Sequence, residues 1–283
     1  INIYIIHEKP NSFRKYMKKI KNDPKLNRIE IYEFNKGKLN FPNIKDAHFS
    51  EATYYRLFID DYIPKTIKSF VYIDPDAFFI SKFEQSLSKE IEKLNSSDKV
   101  LSAFTVLGPD GSYANEFHLP PRKSGKYFNA GFLIFDYQKW RERNCGSDVV
   151  GILVNNKFDF KHCDQDILNF YFDGDYIQLS DKFNYDLNNL YAPPMKEDTK
   201  VIHYIGSTKP WSINGALNEN SEYYINLFRD TFSKKYHIEE IASLNSIKDL
   251  LNNIIKLKFL NTDYPIRYIL NCIGSFLRIS LFK

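Results

Sequence analysis

Short apolar runs recur along the first two-thirds of the chain, separated by polar segments long enough for helices. Ile1–Ile6 and Ile29–Phe34 read as strands, with a polar helical segment near Ser12–Lys21 between them. Ser50–Ile59 suits a helix, with Ser50 placed as its cap before Glu51. Phe70–Ile73 is the next strand, Ser86–Leu94 the next helix, and Val100–Val106 and Gly131–Phe135 are further strands of buried character. Asp164–Phe172 is helical in pattern, and Val201–Ile205 is a last strand leading into Gly206. Strands alternating with helices predict an α/β fold with ligands at the strand ends. After about Glu219 the pattern is helical to the end. The sequence therefore predicts an α/β domain over residues 1–219 and a helical, basic C-terminal region over 220–283.

Two segments depart from this alternation. Leu107–Lys126 carries Gly108, Pro109, Gly111, Pro120, Pro121 and Gly125 and reads as a long loop, a length that is usually functional in a compact domain. In the tail, Ile266–Phe282 places Ile266, Ile269, Leu270, Ile273 and Leu277 on one helical face. Arg267, Asn271, Ser275 and Arg278 fall on the other. That pattern suits a helix lying in a membrane interface, and the competing arrangement is a C-terminal helix packed on the body.

With 43% apolar residues, 24 Phe and 20 Tyr in 283 positions, the chain is not a disordered protein. The net charge of +4 is uneven. From Lys234 to Lys283 eight basic residues face four acids, a surplus of four, so the rest of the chain is balanced. A balanced body argues against a nucleic-acid partner. Cys145, Cys163 and Cys272 lie far apart, suggest neither a disulfide framework nor a zinc site, and fit a reducing compartment. With no signal-peptide pattern and no long apolar run, the expected location is cytoplasmic, peripheral on the inner face of the cell membrane.

Candidate chemistry begins at Phe70-Val71-Tyr72-Ile73-Asp74-Pro75-Asp76. Two carboxylates placed directly after a strand can grip a hard divalent cation through oxygen, although most Asp-x-Asp pairs are solvated turns. Arg56 lies among apolar residues. If buried it needs an anionic partner, either a carboxylate of that motif or a phosphate; the plainer alternative is an ordinary surface arginine. In Tyr127-Phe128-Asn129-Ala130-Gly131, Asn129 offers a donor and an acceptor just before a strand, and Ala130 and Gly131 leave room for close approach. The plainer alternative is a turn before a core strand. Asp164-Gln165-Asp166 opens an apolar helix, where acids often serve only as caps. In His203-Tyr204-Ile205-Gly206-Ser207-Thr208-Lys209-Pro210-Trp211, His203 can join two carboxylates as a nitrogen ligand to Mn²⁺. Gly206 permits backbone approach to a phosphate, and Lys209 supplies charge for one.

These motifs, in this order and spacing from Ile1 to Trp211, resemble glycosyltransferase family 8, the retaining galactosyl- and glucosyltransferases of the bacterial lipooligosaccharide type. The resemblance implies a GT-A fold, a UDP-hexose donor and a glycan acceptor, lipid-linked or carried on a protein such as an adhesin. It implies that Asp74, Asp76 and His203 hold Mn²⁺ (or Mg²⁺). It further implies that Gly206 and Lys209 contact phosphate and that Arg56, Asp74, Asn129, Ala130, Gly131, Asp164 and Gln165 surround the donor. Gln165 and Asp164 are the catalytic candidates, with Gln165 on the sugar face opposite the leaving group. Ile1–Ile6 resembles the family's second strand, so its first is expected upstream of Ile1, and Pro75 between the aspartates is unusual. A neutral amide is a poor nucleophile, so front-face attack is the expected route to retention, with Asp164 the covalent alternative. A non-catalytic UDP-sugar-binding subunit is the reading from a different class.

Overall fold

The computed structural model describes residues 1–20, 22–42, 50–107, 123–155, 160–189, 194–240 and 242–277, with the side chains of Lys15, Lys18 and Lys19 outside the description. In chain order the first elements are β1 (Asn2–His7), α1 (Arg14–Ile20), β2 (Arg28–Glu33), β3 (Ser69–Ile73), β4 (Ala77–Phe79) and α2 (Glu84–Asn95). β5 (Leu101–Thr105), β6 (Phe128–Asp136), α3 (Tyr137–Glu142), α4 (Cys145–Asn155) and α5 (Cys163–Phe172) follow. The last are β7 (Ile177–Gln178), β8 (Tyr185–Asp186), β9 (Val201–His203), α6 (Glu222–Phe232), α7 (Leu244–Ile255) and α8 (Pro265–Phe276). Most of the long loop expected after Leu107 lies outside the described residues, as does the tail beyond Leu277. The chain forms two compact units, Ile1–Asp74 with Lys82–Asn184, and Pro75–Ser81 with Tyr185–Lys283.

In the first unit β1 and β2 pair in parallel, with Ile3 opposite Ile29 and Ile5 opposite Ile31. A parallel pair needs a crossover, which a 3-10 turn at Pro10–Phe13 and α1 provide. A second sheet has the order β3-β6-β5-β7, with β6 antiparallel to both neighbours and β5 parallel to β7. Its central strand β6 is buried at every position except Asn129. The apolar pattern starts this strand at Gly131, whereas the ladder starts at Phe128. Asn129 and Ala130 therefore sit within the strand and not before it. The pairing extends through a register shift between Ala103 and Phe104, which hydrophobic alternation cannot reveal.

The helix expected at Ser50–Ile59 forms as a 3-10 helix over Glu51–Asp61, broken at Phe58, and Ser50 occupies the cap position without a side-chain cap bond. Tyr54 through Ile59 are all buried, so packing on several sides, not an amphipathic stripe, shapes this segment. It joins the core of the first unit, where Phe34 stacks on Tyr55 at 3.8 Å between ring centres and Trp140 meets Phe135 edge-on.

The second unit holds a sheet of order β4-β9-β8, which sets His203 between Ala77 on one side and Asp186 on the other. The last strand stops at His203, short of the expected Ile205. The Tyr204 N–H donates instead to the Asp76 carbonyl at 3.1 Å, and the chain turns at Gly206 with φ +87°, which only glycine adopts without strain. Helices α7 and α8 pack against Ile213, Ala216, Tyr236 and Ile238 through Leu250, Tyr268 and Cys272. The tail helix is thus packed on its unit through one side, while Ile266, Leu270, Ile273 and Leu277 on another side stay exposed. Ile269, expected on that exposed face, is partly buried against the cluster.

Candidate active site

Strand β3 delivers Asp74 at its end, where the Asp74 N–H donates to the Gly131 carbonyl of β6 at 2.8 Å. The Asp74 Oδ1 accepts from the Tyr72 hydroxyl at 2.6 Å and from Arg56 Nη2 at 2.9 Å. Arg56 is 7% exposed, so it is not a surface arginine. Its guanidinium lies over the Tyr72 ring at 4.1 Å, its Nη1 donates to the Ala130 carbonyl, and its Nε lies 2.7 Å from Asp164 Oδ2. The Nε–H itself points to the Thr53 carbonyl at 3.3 Å. Arg56 therefore meets two carboxylates, the anionic partners that a buried guanidinium requires.

Asp164 does not cap its helix. It is 1% exposed, pairs with Arg56 and accepts from the Thr53 hydroxyl. Burial pushes its carboxyl up to about 6, against the pull of the Arg56 charge. Asp166 instead reaches back to the start of the helix, accepting from the His162 N–H at 2.9 Å.

Gln165 faces β6. Its Oε1 accepts from the Ala130 N–H at 2.9 Å and from Asn129 Nδ2 at 3.1 Å, and its Nε2 donates to the Tyr127 hydroxyl at 2.9 Å. Tyr127 donates in turn to Asp166 Oδ1 at 2.6 Å. Asn129 Oδ1 accepts from the Gly131 N–H and from Asn184 Nδ2, both at 2.9 Å. The first unit thus brings Arg56, Asp74, Asn129, Ala130, Gly131, Asp164 and Gln165 into one hydrogen-bonded group.

The second unit gathers Asp76, His203 and Lys209. Asp76 Oδ1 lies 3.1 Å from His203 Nε2, and its Oδ2 accepts from Lys209 Nζ, which also donates to the Tyr204 carbonyl at 2.7 Å. Burial works to raise the Asp76 carboxyl, but the His203 and Lys209 contacts outweigh it and hold the group at about 2. Asp74 precedes Asp76 by two residues along the chain. With His203 these aspartates are the group of three, among the described residues, whose side chains can hold a metal ion. Two carboxylate oxygens and one imidazole nitrogen suit a hard to borderline divalent cation, and the Lys209 ammonium already lies against Asp76 Oδ2.

Several contributors carry no individual signal in the sequence. Tyr127 and Asp166 stand inside recognised runs, yet nothing local shows that one bonds the other. Asn188 Nδ2 donates to the carbonyls of Ile205 at 2.7 Å and Thr208 at 3.2 Å, bracing the turn at Gly206. A Cβ at Gly215 would collide with the Lys209 carbonyl, so this glycine sets how closely the Lys209 loop packs.

The sequence model of Glycosyl transferase family 8 matches residues 1–215. The chain is 28% identical over 200 residues to General stress protein A of Bacillus subtilis, covering 64% of this chain and 66% of that one. It is 27% identical over 207 residues to Lipopolysaccharide 1,2-glucosyltransferase of Escherichia coli K12, covering 70% and 59%. The Lipopolysaccharide 1,3-galactosyltransferase of Salmonella typhimurium is 27% identical over 197 residues, covering 66% and 56%. The chain spans about three-fifths of the length of these curated relatives. Among solved structures, an active-site Gln-to-Glu mutant of LgtC superposes with a TM-score of 0.62 at 19% identity, covering 81% of this chain and 96% of that one. The galactosyltransferase LgtC in complex with donor and acceptor sugar analogs gives 0.55 at 18% identity, covering 85% and 98%. At these identities the structures show a shared fold.

Proposed function

The chain belongs to glycosyltransferase family 8, and from that premise we propose that it moves glucose or galactose from a UDP-sugar to a hydroxyl of a bacterial cell-surface glycan, with retention at the anomeric carbon. The relatives named as lipopolysaccharide glucosyl- and galactosyltransferases support the hexosyl donor and a lipopolysaccharide-type acceptor. In this reading residues 1–219 form the catalytic domain, and the C-terminal region 220–283 meets the membrane surface that carries the acceptor. The observation that carries the reading is the position of Asp76 against both His203 and Lys209, which builds a metal-competent corner at the end of β9.

Asp74, Asp76 and His203 would hold Mn²⁺ (or Mg²⁺). A bound divalent cation there would supply Lewis-acid charge to stabilise a departing diphosphate. Lys209 adds an ammonium for the same negative charge, and the Gly206 backbone leaves open space beside it. Arg56 holds Asp74 and Asp164 in place, and the half-buried Asn129 and Gln165 receive the sugar. Both acceptor positions of Gln165 Oε1 are occupied, while Asp164 is 1% exposed and burial pushes its carboxyl up towards the neutral form. Neither suits attack on carbon, which favours front-face attack by the acceptor hydroxyl over a covalent intermediate.

The test is release of UDP from a panel of UDP-sugars, with and without Mn²⁺ and acceptor glycans. Metal-dependent turnover of UDP-glucose or UDP-galactose is the expected result. Binding of UDP without turnover of any sugar, with every acceptor tried, would support a sugar-binding subunit instead.

A further inference from the structure

Asp186 belongs to none of the sequence motifs, yet the second unit sets it beside the candidate metal corner. It ends β8, and the ladder places it opposite His203 of β9, with Ala77 opposite His203 on the other side. Residues opposite one another in neighbouring strands project to the same face of a sheet. Asp186 therefore shares a face with the imidazole that meets Asp76. It is half-buried. Burial raises its carboxyl above the ordinary value, while the Asn188 N–H, the His203 ring and the Lys209 charge pull against that rise. A carboxylate that feels both side chains stands within electrostatic reach of the corner.

The residue is also held in direction. The Asn188 N–H donates to Asp186 Oδ1 at 2.9 Å, the bond of an Asx turn. The Leu187 N–H donates to the His203 carbonyl at 3.1 Å, and the Leu187 carbonyl accepts from Asn220 Nδ2 at 2.8 Å. The backbone after Asp186 is thus pinned on both sides. Asparagine makes the same turn, so the turn alone does not account for a negative charge at this position.

The charges of the corner give that negative charge a use. Asp74 pairs with Arg56 at 2.9 Å, and Asp76 pairs with Lys209. Each carboxylate expected at the cation already faces a side-chain cation of its own. Asp186 has no ion-pair partner among the described residues, and it stands outside the three side chains that can ligate a metal. A divalent cation brings two further positive charges, and a third carboxylate nearby offsets part of them. We propose that Asp186 supports the cation corner, supplying outer negative charge that strengthens binding at Asp74, Asp76 and His203 without ligating the ion. The inference rests on the metal-dependent reading above.

The test is Mn²⁺ binding by the full chain, read by electron paramagnetic resonance with no sugar donor present. Asp186→Asn keeps the Oδ1 acceptor of the turn and removes the charge, and should weaken Mn²⁺ binding by about ten-fold. Its metal-free melting temperature should match wild type, and the rise on adding a fixed Mn²⁺ concentration should be smaller. Asp186→Glu returns the charge and should recover most of the affinity. Wild-type Mn²⁺ affinity in Asp186→Asn, with binding lost in Asp76→Asn, would overturn the proposal and leave the metal corner standing. A lower metal-free melting temperature in Asp186→Asn, or a loss that Asp186→Glu does not recover, would make the residue structural and overturn it too. Absence of Mn²⁺ binding in the wild type would overturn both readings.

Discussion

Gln165 is held at both ends of its amide, and Tyr127 is the residue that fixes the nitrogen end: the tyrosine hydroxyl accepts from Nε2 at 2.9 Å and donates to Asp166 Oδ1 at 2.6 Å. This pair of bonds decides which way the amide points, and so, in the proposed function, which face of Gln165 is offered to the donor sugar. Removing the hydroxyl leaves a buried carboxylate oxygen and an amide hydrogen without that partner. Tyr127→Phe is expected to cost about 1–3 kcal/mol of stability in urea denaturation. It should also lower kcat more than it raises KM for the UDP-sugar, since the amide loses orientation and not its contact surface. Unchanged kcat with reduced stability would make Tyr127 purely structural.

Arg56 meets Asp74 and Asp164 at once. Truncation strands a carboxylate that is 1% exposed, so Arg56→Ala should destabilise by roughly 3–5 kcal/mol. Arg56→Lys restores charge without the planar fork that reaches Asp74, Ala130 and Asp164 together. It should recover only part of the stability and little of the transfer rate. Thermal melts of the three proteins side by side check this.

Stability should respond to pH through Asp164. Its folded-state value, raised to about 6 by burial, lies above the ordinary carboxylate value of 3.8. The folded chain therefore holds this proton across the window between them, and the unfolded chain releases it. The contribution of Asp164 thus favours folding increasingly as pH falls from about 6 towards 4, by at most about 3 kcal/mol. Urea midpoints measured at pH 7 and pH 4.5 should show this component in the wild type and not in Asp164→Asn. Identical pH slopes in the two proteins would place the proton elsewhere.

Metal dependence should follow the corner built by Asp76 and His203. Chelation is expected to stop transfer and Mn²⁺ to restore it. Asp76→Asn and His203→Ala should each weaken Mn²⁺ binding, read by electron paramagnetic resonance, by more than about ten-fold. Circular dichroism should be unchanged, because the two side chains meet each other at the ends of short strands.

Gly215 offers a check on how the Lys209 loop is held. A methyl group there meets the Lys209 carbonyl, so Gly215→Ala must displace that loop. A raised KM for the UDP-sugar, with Mn²⁺ affinity close to wild type, is the expected signature.

By itself the sequence determined what local pattern can carry. The apolar run Phe70–Ile73 followed by Asp74 and Asp76, and the strand before His203, Gly206 and Lys209, set chemistry at strand ends because period and spacing are properties of neighbouring residues. The family and the α/β architecture follow from those motifs. Which side chains meet was decided only by tertiary structure. Arg56 bonds to Asp74 across 18 positions and to Ala130 across 74, pairings set by the order β3-β6-β5-β7. Sheet order is fixed by packing and leaves no trace in local periodicity. The same limit applied to the 3-10 helix at Glu51–Asp61 and to the early start of β6, where burial on several sides and a register shift override propensity. It applied again to α7, whose Asn253 meets the Tyr268 hydroxyl of α8 across 15 positions.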